Sequence, residues 1–252
     1  MFRSLFLKEL REQRRNHRLL IVAGALLLAG MISPLLARYT PVILRSVPGI
    51  PPELANFVPD PTILDSFVQY IKNVSQFGLI VVLITSMGSI AQEFERGTAA
   101  MLFSTPAPRW MVVLSKWLGG LSSIVVGLIL ATAIFSFYTW VLFGPFSLLN
   151  VLALNAFVLV FLSFYQSMAL FASSLARTQG MAAAGAFGGL VLVLIFDSLP
   201  VLGDYMPGEL LTWGGSLFAG QIEDAWPALV FTMCLILVFL LASIWKVNNQ
   251  EL

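Results

Sequence analysis

One histidine, His17, and one cysteine, Cys234, are all that 252 residues offer for soft-metal or thiol chemistry, which leaves almost no ligand set for zinc or copper. A nucleophile with its base is missing too. There is no H-E-x-x-H, no G-x-S-x-G and no pair of aspartates within an apolar run. No G-x-x-x-x-G-K-[ST] run is present to cradle nucleotide phosphates. These absences argue against an intramembrane enzyme. The polar groups inside the apolar runs are few: Ser136, Thr139, Ser163, Tyr165, Gln166, Ser167 and Asp197. Such groups either serve a pathway or bond a neighbouring helix, and Gln166 and Asp197 are the pathway candidates among them.

The elements that must position these residues are membrane spans. The chain is 58% hydrophobic and 11% charged, more apolar surface than a soluble domain of this length can hide in one core. The expectation is an all-α, polytopic membrane protein forming one transmembrane domain over 1–252. A span needs about 20 apolar residues. Six windows qualify: Leu19 to Leu36, Phe77 to Ala91, Leu118 to Phe143, Leu148 to Ala172, Met181 to Leu199 and Ala228 to Trp245. The first is read as a retained span rather than a signal peptide, because the preceding segment is long and mixed in charge and no clear A-x-A site follows.

Cationic loops are retained in the cytoplasm on insertion. With the amino terminus inside, Arg3, Lys8, Arg11, Arg14, Arg15, Arg18, Arg96, Arg109, Lys116, Arg177 and Lys246 are cytoplasmic, and Arg38, Arg45 and Lys72 are outside. Both termini are therefore expected in the cytoplasm of a cell inner or plasma membrane. The net charge of +1 leaves no excess of basic residues for nucleic acid.

Four stretches depart from plain spans. Over 1–18, Phe2, Leu5, Phe6 and Leu10 recur at helical spacing opposite Arg3, Lys8, Arg11 and Glu12, the pattern of a helix lying in the inner interface. From Arg38 to Gln76, six prolines from Pro41 to Pro61 forbid a continuous helix in the first half. Ile63, Phe67, Ile71 and Val74 then predict an amphipathic helix capped by Asp60 or Thr62. In 92–109, Gly97 ends one helix, Thr98 starts another and Pro106 with Pro108 stops it. The result is a stiff knob that presents Met101, Leu102 and Phe103, with Glu93 and Glu95 at its edge. Residues 200–227 are too apolar for an ordinary loop and too broken by Pro and Gly to span. Leu210, Leu211, Trp213, Leu217 and Phe218 there predict a re-entrant outer hairpin, with Trp213 and Phe218 as further pathway candidates. In the fifth span, Gly180, Ala184 and Gly188, and also Gly185 and Gly189, form a small-residue face whose expected use is packing within the chain.

In this order around six spans, the residues resemble the membrane subunits of ABC exporters of the type-2 permease class. The resemblance is carried by Gln92-Glu93-Phe94-Glu95-Arg96-Gly97-Thr98, then Ser104-Thr105-Pro106-Ala107-Pro108-Arg109, then Lys116. Lys8-Glu9-Leu10 and Ser174-Leu175-Ala176-Arg177 add to it. It implies two permease copies and two cytoplasmic ATP-binding cassette ATPase subunits. ATP and magnesium belong to those partners, and this chain binds no cofactor. It further implies that Thr98 to Thr105 form a coupling helix buried in the ATPase through Met101, Leu102 and Phe103, with Gly97 and Arg177 at the same contact. Glu93 and Glu95 would hold that helix to 2–18 by charge pairs, with Arg11, Arg14 and Arg15 as partners. The scarcity of charge in the spans points to an amphiphilic or hydrophobic cargo. A stand-alone channel or secondary carrier remains the rival, favoured by inverted repeats that are not seen. A permease serving metal-enzyme maturation, or a sensor, fits the same fold.

Overall fold

The structure, a computed structural model, describes residues 2–46, 60–97, 108–219 and 224–249, and all its regular elements are helical. In chain order they are α1 (Phe2–Arg15), α2 (Arg18–Ser46), α3 (Ile63–Met87), α4 (Ala91–Glu95), α5 (Arg109–Phe143), α6 (Leu148–Leu175), α7 (Gln179–Asp197), a 3-10 turn at Gly203–Tyr205, α8 (Glu209–Ala219) and α9 (Trp226–Asn248). Six are long and apolar enough to cross a membrane: α2, α3 with α4, α5, α6, α7 and α9. These are the six windows of the sequence, with ends shifted by capping and by helical extension.

The extension that runs against expectation is in α2. It runs through Pro34 and Pro41 to Ser46, where proline was expected to end it. A proline removes one ladder donor, and in a span that loss is tolerated when nearby groups steady the backbone. Each proline here follows a hydroxyl residue that bonds back one turn: Ser33 Oγ donates to Ala29 O, and Thr40 Oγ1 to Leu36 O. Beyond the loop, α3 starts at Thr62, where the Asp65 carboxylate accepts from the Thr62 N–H at 2.7 Å and from its hydroxyl at 2.8 Å.

The fourth span, α6, is the mast of the bundle. Phe161 through Leu170 are buried without interruption, Ser163, Gln166 and Ser167 included, so this stretch meets protein on every side. The first and third spans cross each other at near backbone contact. A Cβ at Gly30 would stand 2.6 Å from Ala131 O, a backbone atom that cannot give way, and one at Gly127 would stand 2.6 Å from Leu26 Cδ1 and 3.2 Å from Ala23 Cα. Outward of the crossing, Phe67 stacks on Phe218 with centroids 3.6 Å apart, Tyr70 leans on Phe135, and the Tyr70 hydroxyl donates to Asn155 Oδ1 at 2.7 Å. Within 200–227, where a re-entrant outer hairpin was expected, the described residues form the 3-10 turn and the 11-residue α8, which packs on α6 and α3.

The small-residue face of α7 divides in two. Gly185 and Gly189 meet Ala172 and Met168 of α6, as packing within the chain requires. Gly180, Ala184 and Gly188 are exposed, with open space where a Cβ would stand at both glycines, and this corrects the expectation for that half. The spacing was right for close packing, but α7 touches its neighbours along one side only and is the least buried of the six spans.

Candidate coupling site

At the end of the bundle where α1 lies, three chain segments meet on one ammonium group. Lys116 sits two turns into α5 with 3% of its side chain exposed, and its Nζ lies 3.5 Å from Glu9 Oε1 and 3.2 Å from Glu93 Oε1. Glu9 is buried to 4% on α1, while Lys8, exposed beside it, approaches Glu9 and Glu12 at 3.8 and 3.9 Å. A lysine so deeply buried keeps its charge only where carboxylates offset the desolvation cost, and two of them do. A Cβ at Gly119, one helical turn along, would already stand 3.2 Å from Glu9 Cβ, so α1 presses directly on the backbone of α5.

This geometry adds a contact within the bundle to what was expected of α1. The face it turns to the bundle carries Glu9 and Gln13, while Phe2, Leu5 and Phe6 are half-buried at its edges. Arg11, Arg14 and Arg15 are exposed on the other side, and the cation that joins Glu93 to α1 is Lys116 instead. The sharp turn that folds α1 onto α5 is made by His17, whose φ of 56° is left-handed.

The second span breaks at Gly88–Ile90 and restarts as α4. A break strands backbone donors. The freed N–H groups of Ile90 and Ala91 both donate to one buried hydroxyl, Ser173 Oγ of α6, at 2.9 and 3.0 Å. A chain of bonds then ties α4 sideways. Arg18 Nη2 donates to Gln92 Oε1 at 2.7 Å, Gln92 Nε2 to Gln179 Oε1 at 3.0 Å, and the Gln179 N–H to Glu95 Oε2 at 3.0 Å. Glu95 thus sits at the amino end of α7, where a carboxylate is favoured. Gly97 follows with a φ of 70°, turning the chain toward 98–107. Arg109, resuming the chain on α5, donates through Nη1 to the carbonyls of Val247 and Asn248 at the end of α9. Every helix end near the segment is thereby strapped to another.

Of the residues expected at the coupling contact, Glu93, Glu95 and Gly97 lie on this strapped segment. Thr98, Met101, Leu102 and Phe103 lie outside the described residues. Arg177 is exposed in the α6–α7 connection.

The pathway candidates do not gather in one place. Gln166 lines a chamber beside Lys116 and donates through Nε2 to Trp117 O at 2.6 Å, while Trp117 Nε1 donates to Ser167 Oγ at 2.8 Å. A Cβ at Gly120 would stand 2.5 Å from Gln166 Nε2, so glycine is what admits the amide. Asp197 lines a separate pocket at the end of α7 with Asp204 and Glu209. Trp213 stacks on Phe157 at 4.4 Å and Phe218 on Phe67, so both rings anchor α8. Among the described residues, no group of three or more His, Cys, Asp or Glu could hold a metal ion.

Sequence reasoning missed the roles of Glu9, Lys116 and Ser173. The available signal was a lysine and a glutamate inside apolar helical faces, where each needs a partner of opposite charge. The partners come from segments up to about a hundred residues apart, so no local pattern names them.

A family model described as "ABC-2 family transporter protein" matches residues 3–212. A curated relative, described as the uncharacterized transmembrane protein YxlG of Bacillus subtilis (strain 168), is 25% identical over 256 residues, covering 98% of this chain and 97% of its own length. The matched stretch takes in α1, the buried Glu9–Lys116–Glu93 group, the broken second span and the segment leading to 98–107. The chain belongs to the ABC-2 family of transporter proteins.

Proposed function

We propose that this membrane transporter component is the permease of an ABC exporter, driven by a separate cytoplasmic ATPase that grips residues 98–105. The observation that carries the reading is the buried Glu9–Lys116–Glu93 group. Together with Ser173 it joins α1, α4, α5 and α6 at the end of the bundle from which 98–107 emerges. Force delivered to a floppy loop is absorbed. Force delivered to a segment bound on three sides moves the spans that hold it. In this reading both termini are cytoplasmic, α1 lies at the inner interface, two permease copies act together, and the cargo is amphiphilic or hydrophobic. The chain supplies no nucleotide site, and ATP with magnesium resides on the partner.

The test is co-expression with a candidate ATP-binding cassette ATPase. The wild-type chain retains the ATPase through affinity purification, and Met101→Asp with Leu102→Asp releases it while membrane insertion persists. A double variant that still holds the ATPase and supports transport overturns the assignment of the contact.

A further inference from the structure

The fifth and sixth spans, α7 and α9, both lean on α6 and hardly on each other. A trough of about 740 Å³ opens between them, floored by α6 residues such as Met168 and Ala172 and walled by Leu192 of α7 and Leu235 of α9. Every side chain that lines it is hydrocarbon or thioether. Such a trough holds no water, because water needs two to four polar partners and finds none. Inside a bilayer it must be filled by something apolar.

Its shape and ends select the filler. The α7 wall runs from Met181 to Phe196, roughly 22 Å at helical rise. One acyl chain of a leaflet, about 15 Å deep, lies along it in full. Leu202 and Met206 close the outer end. At the other end the lining includes Leu175 and Ala176, and the next residue is Arg177, exposed in the connection to α7. A chain in the trough therefore has its polar head at a guanidinium, whose planar fork suits phosphate.

We propose that this trough is a binding site for one phospholipid of the leaflet on the Arg177 side, with an acyl chain along α6 and α7 and the phosphate on Arg177. The site does not depend on the ATPase reading and is tested without an ATPase. The full chain is placed in nanodiscs containing a trace of phosphatidylglycerol that carries a mid-chain diazirine, or of diacylglycerol with the same labelled chain. After photolysis, adducts are mapped by peptide mass spectrometry. Expected are adducts concentrated on Met168, Met181 and Leu235, about five-fold more from the phosphatidylglycerol than from the diacylglycerol, a ratio set by one arginine–phosphate contact. Arg177→Gln removes that ratio. Gly188→Trp, which fills open space, suppresses both probes, and its elution profile and unfolding midpoint report whether it folds. Gly188→Ile serves as a second plug.

Adducts on the trough no denser than on Ile129 and Trp140, exposed residues of α5, mean annular lipid only and overturn the proposal. Equal labelling by the two probes, or a ratio that survives Arg177→Gln, overturns the phosphate contact. Cross-links from the trough to a second copy of the chain, in place of lipid adducts, overturn it in favour of a protein cover.

Discussion

The ammonium of Lys116, on the third span, lies 3.2 Å from the Glu93 carboxylate just beyond the break in the second span, with almost no water around it. The same ammonium reaches Glu9 on the amino-terminal helix. One cation thus decides where two separate segments sit, and the consequences of removing it differ from those of removing a surface pair.

Lys116→Met takes the buried ammonium away from buried Glu9 and half-buried Glu93, and the expected loss of stability is about 3–5 kcal/mol. Removing all three charges at once, with Glu9→Gln, Glu93→Gln and Lys116→Met, restores much of it, because no uncompensated ion remains. Unfolding midpoints in detergent or nanodiscs measure both. A single variant as stable as the wild type would show that the three groups are not coupled.

Ser173→Ala strands the N–H groups of Ile90 and Ala91 where water does not reach them, at an expected cost of about 1–3 kcal/mol. Hydrogen exchange should quicken over 88–95 and stay unchanged in the middle of α5. Unchanged protection at Ile90 and Ala91 would mean that the hydroxyl does not hold the break.

Gly120→Ala pushes the Gln166 amide off Trp117 O, for an expected loss of about 1–3 kcal/mol. In a Gln166→Ala background the same change should cost little, since the obstructing amide is gone. Strictly additive losses in the two backgrounds would refute the interlock.

For topology, Cys234 is first replaced by serine. A cysteine at Val201, 77% exposed beyond α7, should then react with an impermeant maleimide on intact cells, and one at Arg15 only after permeabilisation. The reverse pattern inverts the proposed orientation.

The number of spans was legible because hydropathy is a sum over a local window, and lipid imposes the same demand on every window. The proline rule misled at Pro41 because it treats the helix as alone, whereas Thr40 bonds back along a span. The buried contact of α1 was not legible for a related reason. Phe2, Leu5 and Phe6 form the obvious stripe, yet Glu9 and Gln13 make the buried contact, since a carboxylate with a buried lysine opposite it behaves as a core residue.

By itself the sequence determined that this chain lives in a bilayer and crosses it six times, and it marked the segment after the second span as unlike a plain loop. Only the tertiary structure decided which polar groups meet: Glu9 and Glu93 on Lys116, two stranded N–H groups on Ser173, Gln166 on Trp117. It also decided that α7 leaves one side open while α6 is closed all round over Phe161 to Leu170. The reason is physical. Apolar burial is additive and nearly blind to partner, so a window reveals it. A polar group in low dielectric is satisfied by a specific atom at a specific distance, and packing alone brings that atom from another part of the chain.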